Sequence, residues 1–177
     1  MIAWLLLANC GLANAATETD PSLERSVKAA FLYKFLNFAS WPVASFAEPS
    51  SHFVIGVLGS DAIATELGKL AADRPASGRP VDVRIVKRGE SLAGLHVLFV
   101  GRAETGYLSS LTEKAQQQSV LLVSESDRGL NLGSAINLVV VDGRIRFDVS
   151  LDAAERFGVR LSSRLLGVAR SVRTGPE

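Results

Sequence analysis

The residue types that carry acid–base, nucleophilic or metal chemistry are sparse in this 177-residue chain, and their spacing joins none of them. Histidine titrates nearest neutrality and is the usual general base; there are two, His52 and His96. Each stands just ahead of a strand-like apolar run, and neither has a second histidine or a carboxylate at metal-ligand spacing. Cys10 is the single cysteine, so no disulfide forms within the chain, and if the segment through Ala15 is cleaved the mature chain has no cysteine for thiol or metal chemistry. A nucleophile elbow needs Gly-x-Ser-x-Gly, and Gly133-Ser134 lacks the flanking residues. Phosphate cradles fail in the same way. Gly56-Val57-Leu58-Gly59 lacks the third glycine of a dinucleotide fingerprint, and Gly68-Lys69 is followed by Leu70 rather than a hydroxyl residue. The expectation is a protein that is not an enzyme, with no catalytic residue, no metal and no cofactor.

Two constellations suit binding instead. Phe35, Phe38 and Trp41 place three aromatics at the end of a helical pattern, and aromatics are enriched where interfaces concentrate their energy. The competing reading packs the same rings in a core beside Pro42. Ser60, Asp61 and Arg102 stand just past strand-like runs, where open parallel sheets bind ligands, and amides at a helix start near Ser60 suit a small anion. The competing reading is that Ser60 only caps its helix.

The elements that must position these residues follow from periodicity. A helix from about Leu23 to Ala39, capped by Ser22, ends before Trp41-Pro42, because a residue preceding proline avoids helical angles. From Ala29 to Ala39 only Lys34 and Asn37 are strongly polar, so this helix needs cover on more than one side, from its own sheet and from a partner or a second copy of the chain, unless it lies wholly in the core. Phe53 to Leu58, Val81 to Lys87, Val97 to Val100 and Val120 to Val123 read as strands, with helical stripes at Ile63, Leu67 and Leu70 and at Leu108, Leu111 and Ala115. Asp142-Gly143 between Ile136–Val141 and Arg144–Val149 is a two-residue hairpin signal. Two helices are expected after it, near Leu151 to Phe157 and from about Ser162 to Val172. Strands alternating with helices predict a single three-layer α/β domain over residues 22–173: a mostly parallel mixed sheet with helices on both faces and an antiparallel C-terminal hairpin at its edge.

Composition narrows the class further. The chain is 47% hydrophobic and 21% charged, the balance of a globular domain rather than a disordered one. A formal net charge of +1 gives no electrostatic case for nucleic acid. Ile2 to Ala8 is apolar and Ala13-Asn14-Ala15 fits a signal-peptidase site, so residues 1–15 read as a secretory signal and the mature domain as periplasmic. Leu7-Ala8-Asn9-Cys10 is a competing lipobox reading in which Cys10 is lipidated.

Two segments resemble the YfiR family of periplasmic regulators. The first is Val27-Lys28-Ala29-Ala30-Phe31-Leu32-Tyr33-Lys34-Phe35 with Phe38 and Trp41-Pro42; the second runs from Val141-Asp142-Gly143-Arg144 through Phe147 to Leu161-Ser162-Ser163 and Leu165-Leu166. The resemblance spans nearly all of the chain past the signal. It implies a non-enzymatic exported regulator that binds and represses the periplasmic sensor region of a membrane-anchored diguanylate cyclase or a similar inner-membrane signalling protein, and so controls cyclic di-GMP and biofilm formation. An outer-membrane lipoprotein that sequesters the regulator is implied as a further partner. Several relatives carry disulfide-forming cysteines that this sequence lacks, which removes redox control through such bonds. The alternative function is a periplasmic small-molecule sensor using the crevice at Ser60, Asp61 and Arg102.

Overall fold

Asp20 and Pro21 start the first helix. In the computed structural model, which describes residues 20–175, the Asp20 carboxylate accepts the Ser22 N–H at 2.8 Å, and Pro21 opens α1 (Pro21–Phe38) with its φ already set. The cap is therefore Asp20 rather than Ser22, because an Asp-Pro pair supplies both acceptor and pre-formed turn. The signal segment expected over residues 1–15, with Cys10, lies outside the described residues.

After α1 come β1 (Ala39–Ser40), a short 3-10 turn (Val43–Ser45), β2 (Phe53–Leu58), α2 (Asp61–Ala71), β3 (Val81–Val86) and β4 (Val97–Val100). A second 3-10 stretch (Arg102–Tyr107) leads into α3 (Leu108–Gln117) and β5 (Leu121–Ser124). The chain closes with β6 (Ile136–Val141), β7 (Arg144–Ser150), α4 (Leu151–Arg156), β8 (Arg160–Leu161), α5 (Ser163–Leu166) and β9 (Ser171–Arg173). Seven strands form one sheet in the order β3-β2-β4-β5-β6-β7-β9, parallel throughout except for the β6–β7 hairpin. The β2-to-β3 and β4-to-β5 connections run outward in opposite directions, so right-handed crossovers put α2 and α3 on opposite faces. α1 packs beside α2. Every residue of β4 and β5 is buried, as strands covered on both faces should be, which explains the continuous apolar runs Val97–Val100 and Leu121–Val123. The hairpin turn is as expected, with Asp142 and Gly143 both at positive φ (49° and 68°).

The C-terminus corrects the sequence reading. The helix expected from Ser162 to Val172 lasts only from Ser163 to Leu166, and the chain returns as β9, parallel to β7. The hairpin is consequently not the sheet's edge. The cause is tertiary: Asp148 on β7 is 6% exposed and takes the Arg170 guanidinium (Nε at 2.7 Å, and Nη2) and the Ser171 hydroxyl at 2.7 Å, while the Arg170 N–H bonds the Phe147 carbonyl at 2.8 Å. A helix continued through Val172 would leave that carboxylate buried without partners, which costs more than the helical hydrogen bonds return. Burial alone would raise the Asp148 pKa, but Arg170 and Ser171 outweigh it and hold the carboxyl below its ordinary value. A separate two-stranded antiparallel pair, β1 with β8, was also not expected; it ties the end of α1 to the segment after α4.

Candidate functional site

One stripe of α1 carries Phe31, Lys34, Phe35 and Phe38, the spacing that brings side chains to a common helix face. Opposite it stands β7, whose Ile145, Phe147 and Val149 alternate inward. Phe147 meets Phe31 edge-on (centroids 5.5 Å apart, 63°) and Phe35 likewise (5.4 Å, 71°). α5 and the turn after it add Arg164, Leu165 and Val168. The result is a groove of about 420 Å³ with Phe35, Phe147 and Leu165 as a buried floor and Phe31 and Phe38 as half-buried walls. Val168 at its rim is 68% exposed. A second cavity of about 390 Å³ shares Phe38 and Arg164 with it and adds Arg160 and polar backbone-rich residues from Asn37 to Ser40.

The three aromatics singled out in the sequence are thus divided. Phe35 and Phe38 meet in the groove, one as floor and one as wall. Trp41 lies outside its lining and does structural work: its ring packs edge-on against Phe53 (5.2 Å), and its indole N–H donates to the His96 carbonyl at 3.0 Å. Lys34, Phe147, Arg164, Leu165 and Val168 were not singled out. Lys34 had a visible signal, as a lone cation on an apolar helix stretch; the others depend on α5 folding back, which periodicity did not show.

His96 is enclosed by aromatic rings. It is 3% exposed, stacks on Phe46 (4.5 Å, 28°), meets Phe53 edge-on at 5.1 Å, and accepts the Val54 N–H on Nδ1 at 3.1 Å. Its Nε2 is buried without a well-formed hydrogen bond. Burial pushes its pKa down to about 4, the Ser45 backbone pulling weakly the other way and Arg79 reinforcing the drop. A neutral, sealed imidazole is a core group. His52 does have a carboxylate partner, Asp82 at 2.9 Å, brought 30 positions closer by the pairing of β2 with β3, which sequence spacing could not show. Among the described residues no group of three or more metal-ligand side chains converges.

At the carboxyl ends of the strands, Ser60 occupies the N-cap position of α2 but its hydroxyl makes no capping bond, and Asp61 is an exposed first-turn residue. Arg102 is exposed, and its N–H donates to Glu125 at 3.1 Å. Gly59 and Gly101 press β2 against β4: a Cβ on Gly101 would sit 2.7 Å from the Gly59 carbonyl oxygen. The stem of Glu104 lies over Gly59, and its carboxylate pairs with Arg88 at 2.5 Å. Beside them Lys28 of α1 is buried between Glu24 and Glu125, bonding both. Farther along, Ser124 hydrogen-bonds Ser134 (2.8 Å) and Asn137 (2.7 Å) in a buried polar knot, and Gly129 is pressed so close that a Cβ there would sit 2.0 Å from the Ser124 hydroxyl.

A family model described as YfiR/HmsC-like matches residues 25–170. A crystal structure of a conserved domain protein from Vibrio cholerae O1 biovar El Tor is similar in fold, with a TM-score of 0.57 at 13% identity over 84% of this chain. An ABC domain from Streptococcus pneumoniae, solved in complex with L-Trp, matches with a TM-score of 0.50 at 12% identity over 68% of this chain. This chain spans 60% of the length of the first and 55% of the second. At these identities the likeness is one of fold.

Proposed function

The chain belongs to the YfiR/HmsC-like family, and on that premise we propose that it is an exported, non-enzymatic regulator that binds the periplasmic sensor region of a membrane-anchored diguanylate cyclase and represses it. The observation that carries this reading is the family match over residues 25–170, which includes every element that builds the α1–α5 groove. The groove supports contact through a protein surface. It joins aromatic walls to an exposed rim, and interfaces concentrate binding energy in such aromatic-lined depressions. The strand ends lend no support to an enzyme, because their ionic groups are engaged with one another: Lys28 with Glu24 and Glu125, Glu104 with Arg88, and Glu125 also with the Arg102 N–H.

Cellular cyclic di-GMP, measured with and without the gene in its native organism, tests the proposal. The level is expected to rise on deletion and to fall again when the exported protein is restored, but not when residues 1–15 are replaced by a start codon. An unchanged level across several growth conditions would overturn regulation of a cyclase. Val168→Asp, at an exposed rim position, is expected to leave thermal stability within about 0.5 kcal/mol of the parent while weakening repression.

A further inference from the structure

Among the described residues, Lys34, Arg160 and Arg164 are the only charged ones lining the groove or the cavity that continues it past Phe38. All three are exposed, and among the described residues none has a carboxylate partner. The local charge is therefore purely positive in a chain whose Lys and Arg (19) nearly balance its Asp and Glu (18). Lys34 stands on the α1 wall and Arg164 on the α5 wall, so each side of the aromatic trough carries one cation, and Arg160 extends the positive side beyond its end. Complementary charge steers association and fixes register at an interface, so cations on both sides of an apolar floor favour an occupant that carries carboxylates beside its apolar anchors.

We propose that this groove takes an amphipathic segment of another protein in which aliphatic or aromatic anchors are flanked by Asp or Glu. The inference rests on the protein-binding reading above and specifies the partner's chemistry. The anchors fill the space over Phe35 and Phe147, as in helix-in-groove recognition, and the flanking carboxylates meet Lys34 and Arg164 with Arg160 beyond. A compact metabolite fits less well. Sites that hold small ligands bury most of the ligand surface, whereas here the trough has half-buried walls, a rim residue 68% exposed and a cavity of about 390 Å³ opening from its end.

Selection from a random 12-residue phage-display library tests the proposal on the purified full exported chain. Enriched sequences are expected to combine Leu, Ile or Phe with neighbouring Asp or Glu. A fluorescein-labelled peptide of that consensus is expected to bind at least tenfold more tightly than its Lys-flanked counterpart, and to lose at least tenfold on Lys34→Glu/Arg164→Glu. That double variant changes only exposed side chains, and circular dichroism and melting confirm its fold. Val168→Asp is expected to weaken both peptides. The proposal is overturned by no enrichment, by neutral or basic consensus sequences, or by binding unaffected by the charge reversal. It is overturned equally if indole-3-acetate or benzoate binds the groove more tightly than the peptide. Sedimentation showing a dimer that Val168→Asp dissociates would assign the groove to a second copy and overturn it too. The peptide preference can hold while cyclic di-GMP ignores deletion of the gene, so failure of the cyclase reading and failure of this one are separable.

Discussion

Single residues set the pH response of this protein. His96 is neutral in the folded chain with a pKa near 4, against an ordinary value of 6.5 once unfolded. Between those values the unfolded chain binds the extra proton, so stability is full above pH 6.5 and is lost as pH falls toward 4. At pH 4.5 the His96 contribution amounts to about 2.5 kcal/mol of lost stability. Urea unfolding at pH 7 and pH 4.5 is expected to show a loss larger by about this amount in the parent than in His96→Gln, which keeps an acceptor for the Val54 N–H but does not titrate. Equal losses in the two proteins would show that carboxylates such as Asp148, rather than the imidazole, set the acid limit. None of this was legible from position 96 in the sequence. The histidine precedes a strand, but Trp41, Phe46 and Phe53, which seal it, lie together on a stretch of chain more than forty positions earlier.

At the scale of elements, β9 is the piece with the least to hold it. It is three residues long, its side chains are exposed, and its attachment to β7 runs through Asp148. Asp148→Asn removes the charge that Arg170 pairs with while keeping the shape. It is expected to cost about 1–3 kcal/mol and to speed amide exchange at Val172 and Arg173 well beyond that of β4. Exchange at Val172 and Arg173 no faster than in the parent would show that β9 is anchored by its ladder alone. Because the Asp148 carboxyl is held below its ordinary value, its stabilisation is present above that value and is lost as pH falls through the lowered one. The sequence showed most elements well. Helical stripes and the Asp-Gly turn are local signals, whereas β9 exists only because a buried carboxylate 22 positions earlier needs Arg170.

Across the whole molecule, one buried triad ties the layers together. Lys28 reaches from α1 to Glu125 after β5, and the other oxygen of Glu125 takes the Arg102 N–H after β4. Glu125→Gln leaves Lys28 with Glu24 alone, and is expected to cost about 2–3 kcal/mol, less than the 3–5 kcal/mol of a wholly unpaired buried charge. For a domain of this size that lowers the melting temperature by roughly 4–12 °C; an unchanged melting temperature would mean the triad is as well solvated unfolded as folded. What the sequence alone determined is the fold class, the strand and helix stripes, the hairpin and the family resemblance, because each rests on periodicity and turn chemistry carried by neighbouring residues. What only the tertiary structure decided is which aromatics share a groove, that Lys34, Arg160 and Arg164 line it and the cavity beside it, and how Glu104 and Glu125 pair at the strand ends. Those facts depend on contacts between residues tens to a hundred positions apart, and side-chain burial and pairing at that separation leave no local pattern to read.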